Sequence, residues 1–226
     1  MHFQPLFLFA ASVAAVANFE WDCTNSLGTC NNACYAVNHN LAKGTLTYDS
    51  NKANRDPRRT ASGCNKTPCT NTKYKRWGNS CDEYPYASTK EGGRKAILRC
   101  VDTTENSSEG GQLGGFYGKI KNGNKFRVWV RNYKGAKFCT STGAKNDGSE
   151  FRKAGNTFLP APSRRDVDFD FEDAGPGFNG TLTKFREFLD EDGEMIMTLD
   201  TDMNVTHVGS SVFSKGKWVK IMSEVH

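Results

Sequence analysis

After Ala17 the chain holds no apolar run near the about 20 residues that a bilayer-spanning helix requires, so no membrane partner is expected. The apolar stretch that does exist, Leu6-Phe7-Leu8-Phe9-Ala10-Ala11, is too short to span. It leads into Ala15-Val16-Ala17, the small-x-small pattern that signal peptidase cleaves. Residues 1–17 therefore read as a signal peptide, although the segment before the apolar run carries His2 and no Lys or Arg. A secreted, extracellular and monomeric mature chain is expected. No cysteine follows Cys139, and no two of the eight stand in the C-x-x-C pairing of zinc ribbons, which argues against structural zinc. No internal repeat is present, leaving one larger domain or a core with an appended β-rich module.

What is present fits an oxidising compartment. Cys23, Cys30, Cys34, Cys64, Cys69, Cys81, Cys100 and Cys139 form an even set behind a leader, the composition of a disulfide framework with up to four bridges. Sequons at Asn65, Asn106, Asn179 and Asn204 offer glycan acceptors. The net charge of +5 hides an asymmetry: residues 18–140 hold 20 Lys/Arg against 10 Asp/Glu, and residues 141–226 hold 10 against 15. A basic half suits a polyanionic partner, because Lys and Arg release counterions condensed on phosphates.

Residues 18–73 are rich in Asn, Thr, Gly and Cys and show little hydrophobic periodicity, so they read as a loop-dominated segment held by bridges. Within them Arg58-Arg59 reads as a solvated loop or as a pro-region cleavage point, and Asn38-His39-Asn40 as a polar loop. From Tyr74 the pattern becomes regular. Lys95–Val101 is a short apolar run bounded by Gly92-Gly93 and by polar residues, as a strand is. A glycine-rich piece, 110–117, follows. Asn122-Gly123 signals a turn into Lys125–Arg131, which alternates basic and apolar residues as a half-buried strand does. Beyond Cys139, Glu194–Leu199 and Gly216–Met222 read as strands, and Thr183–Leu189 as one or two helical turns. Asp166–Asp173 alternates acidic and other residues, either as a soluble strand edge or as a phosphate mimic shielding the basic half. Asp200-x-Asp202-x-Asn204 opens like a calcium loop but has Val205 where that loop needs glycine.

The window that offers chemistry is Cys81-Asp82-Glu83-Tyr84-Pro85-Tyr86-Ala87-Ser88, followed by Glu91-Gly92-Gly93. Two adjacent carboxylates sit between a cysteine that a bridge would fix and a proline that restricts Tyr84 to extended geometry. Carboxylates held in this way can bind a divalent metal or take a proton from water; an acidic turn beside a disulfide is the plain alternative. Together with Glu105-Asn106-x-x-x-Gly110-Gly111, these elements resemble the NucA/NucB deoxyribonucleases, which are extracellular, non-specific DNases. The resemblance runs over roughly Tyr74 to Asn132, and Gly123 to Val130 looks like the family's last strand.

The resemblance implies an α+β fold with a small ββα-metal nuclease-like core at residues 74–140, between the disulfide-rich segment 18–73 and an acidic, β-rich C-terminal extension, 141–226. It also implies one divalent cation, Mg²⁺ or Mn²⁺, and a DNA substrate. In this branch an acidic pair looks to stand where related nucleases have a histidine, and His39, His207 and His226 all lie far from the motif in sequence. Carried over, Asp82 and Glu83 become base and metal-site candidates, Asn106 a metal ligand and Glu91 a supporting acid. Glu109 and Gln112 are second-rank candidates around the metal. Arg76, Arg94, Lys95 and Arg99 are candidate phosphate-binding residues. A glycan on Asn106 would block such a site, so that sequon is expected to stay unmodified. A secreted, non-catalytic, toxin-like binding protein on the same scaffold is the other reading.

Overall fold

The computed structural model describes residues 16–163 and 185–225. Residues 1–15 of the stretch 1–17 that reads as a signal peptide, the Asp166–Asp173 segment and the Asn179 sequon lie outside these residues. No helix among the described residues is long and apolar enough to cross a membrane. The chain begins with β1 (Ala17–Asp22), α1 (Leu27–Asn38), β2 (Thr45–Thr47), α2 (Arg55–Ser62) and the short α3 (Thr72–Lys75). Next come β3 (Ser80–Tyr84), β4 (Ile97–Val101), α4 (Thr103–Tyr117), β5 (Lys125–Arg131) and α5 (Lys137–Thr140). Six strands complete it: β6 (Glu150–Ala154), β7 (Thr157–Pro160), β8 (Arg186–Asp190), β9 (Met195–Thr198), β10 (Ser211–Ser214) and β11 (Lys217–Val225).

Six strands close on themselves in the order β1-β10-β11-β8-β9-β5, with β5 returning to β1 in a parallel pairing from Ala17↔Phe126 to Asp22↔Arg131. β2 pairs with the first half of β5 on the edge that β9 uses further along. Closure removes the open strand edges that invite aggregation. The alternation of β5 explains how one strand serves two cores, since successive side chains point to opposite faces. Phe126, Val128 and Val130 join Phe19, Phe116 and the buried side of α1 in the main core. Trp129 joins Phe188, Ile196, Val212, Val219 and Ile221 in a second cluster drawn from five barrel strands. Each such side chain contributes about 1.5–3 kcal/mol through burial. Arg131 is buried too, paired with Glu20 and with Asp190 at 2.7 Å.

The second sheet is antiparallel, in the order β3-β4-β6-β7. The hairpin β3–β4 followed directly by α4 gives a local β-β-helix order. The expected small core with separate additions is not what forms, however. Instead, β3 and β4 belong to a four-stranded sheet, and the barrel draws strands from β1, β5 and the last four strands of the chain. The coarser α+β reading stands.

Two local readings are corrected. Residues 186–190 form strand β8, not a helical turn, while Thr183 and Lys184 lie outside the described residues. Phe185-x-x-Phe188-Leu189 fits helical spacing, but Phe188 points into the barrel and register with Met195–Thr198 wins. The segment 18–73 also contains more regular structure than its composition signals. α1 buries ten of its twelve residues, including three asparagines, so polar composition concealed a core helix.

All eight cysteines pair: Cys23–Cys30, Cys34–Cys139, Cys64–Cys81 and Cys69–Cys100. The bridge from α1 to α5 closes a separation of 105 residues, which in the chain-entropy account is worth between 4 and 5 kcal/mol, roughly. The two bridges at Cys81 and Cys100 fasten the segment after α2 to neighbouring strands β3 and β4, which keeps that segment beside the site described next.

Candidate active site

Strand β3 is held by a partner strand and by a disulfide. Its partner β4 fixes the register Asp82↔Arg99 and Glu83↔Leu98, and the Cys64–Cys81 bridge fixes its start. Because neighbouring residues on a strand face opposite ways, Asp82 and Glu83 meet different helices. Asp82, 3% exposed, accepts a hydrogen bond from Asn32 Nδ2 of α1 at 2.8 Å and lies against Glu109 of α4. Glu83 turns to α2: Ser62 Oγ donates to its Oε2 at 2.7 Å, and Arg59 Nε stands 3.8 Å from its Oε1. Both carboxylates line one cleft of about 830 Å³.

Asn106 reaches the same cleft from the first turns of α4. Its Nδ2 donates to Ser80 Oγ at 2.7 Å and to the Cys81 carbonyl at 2.9 Å. With both amide hydrogens engaged by β3, the Oδ1 oxygen is what the side chain has left to offer a ligand. Glu109 lies one turn further on, 5% exposed, on the same helix face. When both carboxyls are ionised, Glu109 Oε1 has no donor; a proton on Glu109 lets it bond Asp82.

The electrostatics follow from burial. Desolvation pushes Asp82 up to about 7, and the charge of Glu83 adds to the shift while its donors oppose it. Glu109 is raised well above the ordinary carboxyl range by burial first and by the Asp82 charge second. Glu83 is raised by burial as well, against the pull of Ser62 and Arg59. Two like charges crowded in a low-dielectric site with one oxygen unpaired constitute an arrangement that a cation would relieve.

The cleft's cations come from around α2: Lys52, Arg55 and Arg59. A short turn capped by Asn51, whose Oδ1 accepts from Ala53 N at 3.1 Å, starts the helix, and Gly63 at φ +90° ends it. Arg58, on the same helix, is spent on anchoring. It donates to Asp49 at 2.6 Å and to the Ala87 carbonyl at 3.1 Å; hydrogen bonds from Asn54 first and from Arg58 second pull Asp49 down to about 2. The dibasic pair thus lies in a helix and not in a loop. The spacing Arg55, Arg58, Arg59 is the helical signal that could have revealed it.

Several sequence candidates sit elsewhere. Glu91 is exposed and accepts the backbone N–H of Thr47 at 2.8 Å, serving β2. Arg99 is bound to Glu150 and to Ser149, Arg76 lies over the Trp77 ring, and Arg94 and Lys95 are exposed ahead of β4. None of the four lines the cleft. Gln112 ties α4 to β1 through both backbone groups of Asp22. His39 packs on Tyr35, and His207 lies among Trp129 and Phe188. Asp200, Asp202 and Asn204 form local turns, with Asp200 paired to Arg127 at 2.6 Å.

Residues 33–129 match the family model described as Deoxyribonuclease NucA/NucB. No curated protein matches the chain. The matched segment runs from α1 through most of β5 and holds every residue that lines the cleft, from Tyr48 to Gly118. Over residues 33–129 the chain is similar to the NucA/NucB deoxyribonucleases.

Proposed function

We propose that this protein is a secreted endonuclease that hydrolyses DNA phosphodiester bonds without sequence preference and depends on a divalent metal. The observation that carries the reading is the buried pair Asp82–Glu109 beside Asn106, in a cleft that also holds Lys52, Arg55 and Arg59. The four disulfides support an extracellular setting.

The residues fit an Mg²⁺ or Mn²⁺ site of the open kind. Among the described residues no three His, Cys, Asp or Glu side chains gather into a closed cage. Asp82 and Glu109, with the Asn106 Oδ1 oxygen, would be an all-oxygen set suited to a hard cation that keeps several waters. Such a cation would neutralise the scissile phosphate and stabilise charge on the leaving oxygen.

The chain's own groups divide the remaining work. Glu83, raised by burial and steadied by Ser62, accepts the proton of the attacking water at Oε1. Arg55 and Arg59, which line the cleft, hold non-bridging oxygens of phosphates beside the scissile bond. Asn32 keeps Asp82 oriented, and the Arg58–Asp49 pair keeps α2 in place. Plasmid DNA incubated with purified protein tests the reading: cleavage with Mg²⁺ or Mn²⁺, abolished by EDTA and restored by excess metal, is expected. Undiminished cleavage in EDTA, or none under any condition, would overturn it.

A further inference from the structure

Tyr86 follows Asp82 and Glu83 by a few residues and lines the same cleft, yet the chemistry above makes no use of it. Its side chain is caged. The ring packs edge-on against Trp21, with centroids 6.1 Å apart, and against Tyr84 at 5.3 Å. Its carbonyl accepts from Thr89 N and from Thr89 Oγ1, both at 2.9 Å. The Glu91-Gly92-Gly93 element serves the same cage, since a Cβ on Gly92 would lie 2.1 Å from the Tyr86 carbonyl oxygen. Tyr86 is 5% exposed, and its hydroxyl has no hydrogen-bond partner among the described residues. Leaving a buried hydroxyl unpaired costs about 1–3 kcal/mol, which phenylalanine in the same cage would avoid.

Glu109 lacks the complementary group. Its Oε1 is buried without a donor, and a carboxylate oxygen accepts where a phenol donates. The two side chains line one cleft, and burial first and the Glu109 charge second raise the Tyr86 phenol well above its usual value. The phenol therefore keeps its proton and stays a donor. We infer that Tyr86 is a positioning residue of the metal site, its hydroxyl donating to Glu109 Oε1 and so presenting Oε2 to a cation beside Asp82. The inference rests on the metal-dependent reading above and adds a residue to it. Because the ring is held by Trp21, Tyr84 and the turn to Gly92, the donor is in place before any cation arrives.

The test compares Tyr86→Phe with Tyr84→Phe in DNA-free protein. Each removes one buried hydroxyl and keeps the ring, and that of Tyr84 donates to the Lys43 carbonyl at 2.9 Å. Mn²⁺ binding followed by calorimetry should weaken at least about tenfold in Tyr86→Phe, the effect of removing a partner of a metal-binding carboxylate, and stay within about twofold of wild type in Tyr84→Phe. Thermal unfolding should show the reverse. In EDTA, Tyr86→Phe should match or exceed the wild-type Tm, because its hydroxyl has no partner to lose, while Tyr84→Phe should fall below it. The rise in Tm on adding Mn²⁺ should shrink in Tyr86→Phe alone. Cleavage of duplex DNA by Tyr86→Phe should need more Mg²⁺, with KM for DNA unchanged at saturating metal. Equal Mn²⁺ affinity in Tyr86→Phe and wild type would overturn the assignment. Equal weakening in both variants would also overturn it, since disturbing the aromatic cage would then be what matters. A wild type that binds no Mn²⁺ would overturn it together with the metal site. A wild type that binds Mn²⁺ but cuts no DNA would overturn the nuclease reading alone, and the Mn²⁺ series would still decide the role of Tyr86.

Discussion

Replacing Asp82 with asparagine should make the metal-free protein more stable while removing its activity. In the absence of metal, Asp82 is charged only at a cost: burial pushes it up to about 7 from 3.8. The difference is about three units, a ceiling of about 4 kcal/mol at 1.36 kcal/mol per unit, and at 3% exposure solvent does little to screen it. The sign follows from linkage. A carboxyl whose folded pKa is raised costs nothing below its unfolded value of 3.8, and its penalty grows as pH rises to about 7, then levels. Asparagine keeps the shape and an oxygen for the Asn32 amide but carries no charge. In EDTA, urea unfolding at pH 8 should therefore show Asp82→Asn more stable than wild type by between 1 and 4 kcal/mol, roughly, and the gap should close near pH 4. Added Mg²⁺ should stabilise wild type, because a ligand that binds only the folded state adds RT ln(1 + [L]/Kd), and it should not stabilise the variant. A variant less stable than wild type at pH 8, or stabilised by Mg²⁺ as much as wild type is, would refute the reasoning.

Three further expectations follow from separate parts of the molecule. Arg55→Ala and Arg59→Ala should raise KM for DNA and each reduce the salt slope of binding by about 1, whereas Arg76→Ala and Arg94→Ala should leave both unchanged; equal effects would return the phosphate contacts to the latter pair. His207 is pushed down to about 4 by burial and then by Arg127 and Arg186, against the opposing charges of Asp200 and Glu224, so its stabilising share is intact above 6.5 and is lost as pH falls towards 4. Denaturation at pH 7 and 4.5 should show a fall of up to roughly 3 kcal/mol that His207→Leu reduces, and an unreduced fall would place the acid sensitivity elsewhere. Expression in a glycosylating host should leave Asn106 unmodified, since Ser80 and the Cys81 carbonyl occupy both amide hydrogens in the folded protein; peptide mass mapping that finds a glycan there would remove Asn106 from the site.

The parts of the site that were legible in sequence are those carried by short, contiguous elements. Asp82, Glu83 and Asn106 stand within forty residues, and the strands Ile97–Val101 and Lys125–Arg131 announced themselves by bounded apolar runs and alternation. What stayed hidden depends on long-range packing. Asn32 lies fifty residues before Asp82 and reaches it from a helix whose polar residues are buried, so its composition resembled a loop. Glu109 was visible only as a second-rank candidate, because its proximity to Asp82 arises when α4 packs on β3. The cations that line the cleft were hidden for the same reason: charge near the motif in sequence is engaged with Glu150 and Trp77 or exposed away from the cleft. The disulfides place α2 beside β3. The barrel was not legible, since its closure pairs β1 with β5 and β10, strands far apart in the chain.

The most direct test of the central claim is single-turnover cleavage of a duplex oligonucleotide with saturating Mg²⁺ by wild type and by Asp82→Asn, Glu109→Gln and Asn106→Ala, each first verified as folded by its thermal transition. The account predicts cleavage by wild type and a loss of at least about 100-fold in each variant. Three folded variants that cut at the wild-type rate would contradict it.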